Sequence, residues 1–358
     1  MEWRRVSKSN VRRHGTYGIK VKHSGIVGRR IVKTGISVFI TALICIKLKL
    51  PVEFAVIAAI VTIEPTAFDS IRKGLIRLPA SAIGAGLAVF FVYLWGPTAL
   101  SFTLAAVLTI FLCQRLKLYD GILVATLTAV AMVPDIHDHY FLTFLSRLGT
   151  TFIGLTVSSL INFFILPPKY SPLIKAKLGP NFQLVSQVLL ETVQFVFRIK
   201  QTVVIIPSSA YNKLRQETEK ISEMLTFQER EWKYHKIKLS EYRNFYRLKK
   251  TNTIMQKIVL HLGNLQYVNE PAHFTPSDQD IIMEAVISIQ SILNNPSYAI
   301  EDRHYTLVYE LDTRLKYEAN QLFSSNHHFH HFTPKRIIYF ELLSIHDCLE
   351  ELQDLYKG

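Results

Sequence analysis

The sequence predicts an all-α membrane protein, with six transmembrane helices followed by a cytoplasmic helical bundle. Residues 31–166 form successive apolar blocks separated by short charged or Pro/Gly-containing joints. A block of about 20 apolar residues matches the hydrocarbon core of a bilayer. After Pro167-Pro168 the composition changes to mixed charge with helical periodicity and few glycines, which is typical of a soluble helical domain.

Three segments follow from this pattern: a basic arm over residues 1–28, a membrane domain over 29–168 and a cytoplasmic domain over 169–358. The second and fifth apolar blocks are short, and each ends near a proline, Pro65 or Pro134. Short, Pro-interrupted segments at corresponding positions of two halves indicate a transport site. The six predicted spans are roughly Ile31–Ile46, Val52–Ile63, Leu78–Trp95, Thr98–Cys113, Gly121–Val133 and Phe144–Leu166.

The apolar region also repeats a pattern. The segments Arg77–Gly84 and Arg147–Gly154 both follow the order Arg-Leu-x-small-hydroxyl-x-Ile-Gly and lie about 70 residues apart. A repeat unit of three spans inverts its second copy in the membrane, which predicts an inverted 3+3 architecture of the kind that secondary transporters use. The alternative is chance similarity between two apolar helices with small faces.

Charge predicts the orientation. The formal net charge is +13, and residues 1–33 hold ten Lys/Arg against one acid, Glu2. This excess directly precedes the first span, so the positive-inside rule predicts a multi-pass plasma-membrane protein with both termini in the cytoplasm. We therefore expect the lipid bilayer, and not nucleic acid, as its partner. No phosphate-binding Gly loop, Ser/His/Asp order or HExxH motif occurs, and we expect no enzyme activity and no cofactor.

Two arginines are the strongest candidates for a substrate path. Arg77 and Arg147 each lie near the membrane boundary of a predicted span. A guanidinium group binds a carboxylate in a bidentate fork and offsets its dehydration, which a transporter of organic anions needs. The alternative is that both side chains extend to the lipid headgroups. Glu64 ends a short span, and an acid with a raised pKa at this position could carry a coupling proton; pairing with nearby basic residues is its alternative.

Polar residues also mark the sixth span. Thr150, Ser158 and Asn162 recur at multiples of four with Gly154 between them. This stripe predicts either the lining of a water-filled path or a seam of interhelical hydrogen bonds. Two His-bearing segments, Asp135–His139 and Asn326–His331, contain metal-ligand residue types, but their positions in joints favour solvated loops, and we predict no metal site.

The motifs around the second and third spans resemble the bacterial aromatic acid exporter family, which includes relatives of the fusaric acid resistance proteins. The resemblance rests on Glu64-Pro65-Thr66, the basic Arg72–Arg77 segment and Ala80–Gly84, where Ala80-Ser81 replaces the Gly-Thr of family members. It covers about residues 27–168, and the remainder looks like the helical C-terminal domain of a Gram-positive branch. The resemblance implies efflux of aromatic carboxylates driven by the proton gradient.

Two other functions fit the sequence. Six spans followed by cytoplasmic helices are also similar to the plant aluminium-activated malate transporters, which would make the protein an uncoupled anion channel. A non-transporting membrane scaffold that acts through its cytoplasmic helices is the third possibility. In each case we predict a homo-oligomer, and for the first two a small organic anion as the substrate.

Overall fold

The computed structural model describes residues 24–136, 139–165, 168–198, 209–233, 237–266, 268, 274–323 and 333–357. Every regular element in these ranges is a helix, so the predicted all-α class is confirmed. Most of the predicted basic arm and the whole of Asn326–His331 lie outside the described residues. The chain divides into two compact units, the first comprising Met1–Ile63 and Lys73–Leu166 and the second Glu64–Arg72 and Pro167–Gly358.

The described residues of the first unit form six α-helices of unequal length, and the first turns of α3 belong to the second unit. Two of them, α3 and α6, are long and apolar enough to cross a membrane, whereas α2, α4 and α5 are shorter apolar helices. Large apolar side chains such as Ile31, Phe39 and Ile46 on α1 are exposed, as expected for a surface that faces lipid. The helices are α1 (Ser24–Lys47), α2 (Val52–Thr62), α3 (Ala67–Trp95), α4 (Ala99–Arg115), α5 (Ile122–Met132) and α6 (Tyr140–Phe164).

Helix α3 begins at Ala67, not at Leu78 as the sequence predicted. The segment that we interpreted as a charged joint is therefore the first part of this helix. The physical reason is a cap: the Thr66 hydroxyl accepts a hydrogen bond from the backbone N–H of Asp69 and donates one to its carboxylate, at 3.1 and 2.8 Å. The spacing Thr-x-x-Asp was the available signal, and the charge of Arg72 and Lys73 obscured it.

The six helices form two groups of three. Helices α1, α2 and α6 pack together, and α4 packs on α5. Helix α3 joins the second group, since buried side chains of α3 cluster with those of α4 and α5. Each group thus takes two helices from one predicted repeat and the long third helix from the other.

In the part of the second unit that the structure describes, six further helices pack around one apolar core. The predicted cap at Thr275 is confirmed, since Thr275 and Asp278 form a capping box at the start of α10. Burial alone would raise the pKa of Asp278, but hydrogen bonds from Thr275, Lys335 and Tyr339 hold it well below its usual range. The helices are α7 (Ser171–Arg198), α8 (Ser209–Glu231), α9 (Leu239–Gln266), α10 (Pro276–Asn294), α11 (Asp302–Phe323) and α12 (Pro334–Lys357).

Residues 64–72 connect α2 to α3 but pack with the second unit. Asp69 forms an ion pair with Arg230 at 3.1 Å, and the Glu231 carboxylate accepts a hydrogen bond from the backbone N–H of Ala67 at 2.9 Å. The Tyr170 hydroxyl donates to the carbonyl oxygen of Pro65 at 2.9 Å. The end of α8 therefore fixes the first turn of α3.

A buried histidine pair links three helices of the bundle. The His304 ring contacts the Ser288 hydroxyl through Nδ1 at 2.8 Å and His346 through Nε2 at 3.2 Å. Burial, with a smaller contribution from the charge of His346, lowers the pKa of His304 from 6.5 to about 4. Between these two values the unfolded chain binds a proton that the folded chain does not bind, so stability falls as the pH falls.

We therefore expect acid to destabilise the bundle through His304. From pH 7 to pH 4 this group removes about 3 kcal/mol, since each pKa unit corresponds to about 1.4 kcal/mol, and lowers the melting temperature by roughly 5–10 °C. The measurement is thermal unfolding of the detergent-solubilised chain, followed by circular dichroism across this pH range. His304→Gln keeps a donor and an acceptor for Ser288 and should flatten the profile. Parallel profiles for variant and wild type would contradict the assignment.

Candidate functional site

Arg147 lies at the centre of the most distinctive site in the first unit. Its side chain, on α6, is buried with 7% of its surface exposed. Its Nη2 donates a hydrogen bond to the hydroxyl of Thr128 on α5 at 2.8 Å. The guanidinium carbon lies 3.3 Å from the centre of the Phe54 ring on α2, which is a close cation–π contact. Three helices thus hold one cationic group in a fixed orientation.

Two cavities meet at this arginine. An open cavity of about 740 Å³ and a smaller one of about 90 Å³ are both lined by Arg147 and Phe54. The larger volume falls in the range of small-molecule sites. Pro51, Glu53, Met132, Leu142, Thr143 and Ser146 complete the larger cavity, and Ile57, Ala58, Val124, Leu127, Thr128, Ala131 and Thr151 the smaller one.

The lining of the larger cavity suits one class of ligand. The guanidinium group can pair with a carboxylate, the Phe54 ring offers an apolar face for stacking, and the Ser146 hydroxyl adds a hydrogen-bonding group. Glu53 lines the same cavity and would repel a second negative charge on the ligand. Sequence reasoning identified Arg147 but missed Phe54, whose only signal was an aromatic residue in the first turn of a short span.

Arg77 lies in a different environment. It is also buried, with 6% of its surface exposed, but its Nε and Nη1 donate to the backbone carbonyls of Asp120 and Val61 at 3.2 and 3.1 Å. Carbonyls in the last turn of a helix lack partners within it, so Arg77 satisfies a helix end. It lines neither cavity at Arg147. Because Arg147 contacts the first turn of α2 and Arg77 its last, the two lie about 10 Å apart along that helix.

Reciprocal contacts relate the two halves of the first unit. A Cβ atom added at Gly84 would overlap the carbonyl oxygen of Ala125 on α5, and one added at Gly154 would overlap the carbonyl oxygen of Ala55 on α2. The two glycines are 70 residues apart, and so are the two alanines. The same interval separates Arg77 from Arg147. The same pair of positions therefore makes the same close helix contact in each group of three helices.

A hydroxyl pair lies where the two long helices meet. The Ser81 hydroxyl of α3 is 3.4 Å from that of Thr151 on α6 and 3.2 Å from that of Thr128 on α5. Ser81 follows Arg77 by one helical turn, and Thr151 follows Arg147 by one turn. Ser81 and Thr151 thus meet where α3 and α6 contact each other, each one helical turn from the arginine of its own helix.

Two residues of the predicted polar stripe of α6, Ser158 and Asn162, form an interhelical seam, whereas the Thr150 hydroxyl donates to the Arg147 carbonyl of its own helix at 2.9 Å. Thr150, Ser158 and Asn162 are buried, and none of them lines either cavity at Arg147. Ser158 pairs with the Ser37 hydroxyl of α1 at 2.8 Å, and the Asn162 side chain accepts a hydrogen bond from the Lys33 ammonium at 2.8 Å. Sequence reasoning missed the contribution of Lys33, because its partner Asn162 lies far away in the sequence.

Neither Glu64 nor the described residues of the Asp135–His139 joint line the two cavities at Arg147. Glu64 belongs to the second unit, where its backbone N–H donates to the Ser70 hydroxyl at 3.2 Å. The Asp135–His139 segment is described only in part, because residues 137 and 138 fall outside the described ranges. The predictions for both segments stay untested.

Comparisons with known proteins match almost the whole chain. Residues 26–165 match the profile of "Aromatic acid exporter family member 1". A UPF0421 protein of Bacillus cereus is 43% identical over 333 residues, which cover 92% of this chain and 95% of that protein. UPF0421 proteins of Halalkalibacterium halodurans and Staphylococcus aureus are 37% and 36% identical, over 93% and 77% of this chain and 90% and 85% of their own lengths.

Proposed function

Because the chain belongs to the aromatic acid exporter family, together with the UPF0421 proteins that it matches over most of its length, we propose that it exports aromatic carboxylates across the plasma membrane. The observation that carries this proposal is the guanidinium group of Arg147 held against the Phe54 ring at an open cavity. A carboxylate must lose water to enter a membrane, and a fixed, buried cation offsets that cost. The ring provides the stacking surface for the aromatic part of the substrate.

The route proposed for the anion runs between the two arginines, past the buried hydroxyls of Ser81 and Thr151. Arg147 receives the carboxylate at one mouth, the Ser81–Thr151 pair lies midway, and Arg77 lies at the other end. In this proposal the six helices of the first unit all lie in the membrane as an inverted 3+3 repeat with both termini cytoplasmic. The reciprocal contacts of Gly84 and Gly154 support the repeat. We propose that the polar stripe Thr150, Ser158 and Asn162 lines this path, and Ser158 and Asn162 also hold α6 against α1.

We assign proton coupling to Glu64, which follows the end of α2. The residue is partly exposed and directly precedes the Pro65 break, where a change in protonation could alter the joint that leads into α3. We further propose that the exporter is a homo-oligomer.

The proposal is tested by flux into and out of proteoliposomes. A hydroxybenzoate should move faster than in protein-free liposomes when a pH gradient is imposed, and faster than a cyclohexanecarboxylate of similar size. Glu64→Gln should abolish the dependence on the gradient. Anion current without a gradient, unchanged in Glu64→Gln, would favour the channel, and absence of flux from the wild-type protein would leave the scaffold.

A further inference from the structure

The described residues that follow α8 and begin α9 form a basic and aromatic surface that the transport function does not use. Residues 232–250 contain seven Lys/Arg and one acid, Glu241. Among their described residues, Leu239, Tyr242 and Tyr246 expose 65, 52 and 49% of their surface. We call the described residues 233 and 237–250 the basic edge. Exposed apolar and aromatic groups among so many cations are unusual for a surface that faces only water.

Contacts within the second unit fix the position of the basic edge. The Trp232 ring packs edge-on against Phe245, with ring centres 4.5 Å apart, and lies 6.3 Å from the ring of Tyr242. The ammonium group of Lys233 lies 4.4 Å from the centre of the Phe68 ring. Phe68 is in the first turn of α3, one of the two helices long and apolar enough to cross a membrane.

Polar contacts beside the basic edge join the end of α8 to the first turn of α3. The ion pair of Asp69 with Arg230 and the hydrogen bond from Ala67 to Glu231 join the same turn of α3 to the end of α8. Asp69 and Glu231 are buried, so the hydrogen bond from Ala67 to Glu231 is shielded from solvent. The ion pair is shielded on its carboxylate side only, because the Arg230 side chain is 40% exposed. The basic edge is thus anchored one side-chain contact away from the point where α3 begins.

The composition of this surface matches that of a membrane interface. Tyrosine and tryptophan rings favour the headgroup level, where an apolar body and a polar tip are both satisfied. Each Lys or Arg near an anionic leaflet contributes about 1 kcal/mol, and a cluster of four to eight beside a transmembrane helix is typical of anionic-lipid binding. Lys249 pairs with Glu229 at 2.6 Å, whereas Arg247 and Lys250 lie over the rings of Tyr356 and Tyr246 at 5.7 and 5.8 Å.

We propose that the basic edge binds the anionic phospholipid headgroups of the leaflet at which α3 begins. Arg243, Arg247 and Lys250 contact the phosphates, and Leu239, Tyr242 and Tyr246 insert among the headgroups. Binding there would hold the α8–α9 connection, and through it the first turn of α3, against the membrane surface. The inference is independent of the substrate and holds for an exporter, a channel or a scaffold.

The test uses the full chain in lipid nanodiscs, with a fluorophore on Tyr246→Cys. The buried residues Cys45, Cys113 and Cys348 are first replaced by alanine. The quencher is a phospholipid that carries a nitroxide on its headgroup, and the bilayer is phosphatidylcholine with or without phosphatidylglycerol. We expect quenching at position 246 to exceed that at a Tyr309→Cys control about threefold when the anionic lipid is present. Tyr309 is 73% exposed on α11, a helix that packs on α10 and α12.

A charge variant separates lipid binding from mere proximity. Arg243→Gln, Arg247→Gln and Lys250→Gln change exposed side chains, and together they should reduce quenching at position 246 to the control level. The matched control changes the exposed residues Lys220, Arg303 and Lys316 to Gln and should leave quenching unchanged. Equal quenching at 246 and 309, or quenching indifferent to anionic lipid and to the charge variant, would overturn the proposal. So would protection of position 246 with energy transfer between labelled copies, which would indicate that a second copy covers the surface.

Discussion

Replacing Arg147 with Gln is expected to reduce aromatic carboxylate flux about 100-fold, because a charge-assisted bidentate pair contributes about 3 kcal/mol. Arg147→Lys keeps the charge but loses the fork and the planar contact with Phe54, so an intermediate loss of about tenfold is expected. The measurement is the initial rate of hydroxybenzoate flux in proteoliposomes of equal protein content. The matched control is Arg115→Gln, which removes an exposed arginine at the end of α4.

The Phe54 ring provides a second arm of the same experiment. Phe54→Leu keeps an apolar side chain but removes the stacking surface, so it should slow the aromatic substrate more than cyclohexanecarboxylate. The Arg147 variants should slow both anions equally, because both carry a carboxylate. A flux that survives Arg147→Gln in correctly folded protein would remove this arginine from the path. Loss of the aromatic preference in the control variant would show that selectivity arises elsewhere.

Arg77 and Arg147 show how far sequence reasoning reached at this site. The repeated pattern placed both in matching positions, and the structure buries both. Their partners differ, since Arg77 binds the backbone carbonyls of Val61 and Asp120 whereas Arg147 borders the cavities. A repeat detected in sequence gives equivalent positions, but it does not show which copy opens onto a cavity. That difference depends on neighbouring helices and could not be predicted from either segment alone.

Local signals predicted most of the fold. Apolar blocks and prolines located the short helices α2 and α5, and the Thr275–Asp278 cap predicted the start of α10. The predicted start of α3 was wrong, because we gave the charges of Arg72 and Lys73 more weight than the cap that Thr66 forms with Asp69. The exchange of α3 and α6 between the helix groups had no local signal, because it is a consequence of long-range packing. The hydrogen bond between Lys33 and Asn162 also had no local signal, because its two residues are distant in sequence.

Gly84 and Gly154 lie at close contacts between helices, so replacing them tests the helix packing itself. Gly154→Ala is expected to destabilise the first unit by about 3 kcal/mol, since overpacking a close helix contact forces the backbones apart. The added Cβ would meet the carbonyl oxygen of Ala55 and the side chain of Ala58, and neither can move without displacing α2. The measurement is the melting temperature of the purified protein, with the monodisperse fraction on size exclusion as a second readout.

Gly149 offers a matched control on the same helix. A Cβ at Gly149 meets nothing within 4 Å, and Gly149→Ala should be neutral or stabilise the helix by about 0.5–1 kcal/mol because alanine favours the helical state. Gly84→Ala should reproduce the loss seen with Gly154→Ala, because it meets the carbonyl oxygen of Ala125 in the corresponding way. If one glycine tolerated alanine and the other did not, the two halves would differ at the contact that relates them. The repeat would then be a resemblance in sequence without a shared packing rule.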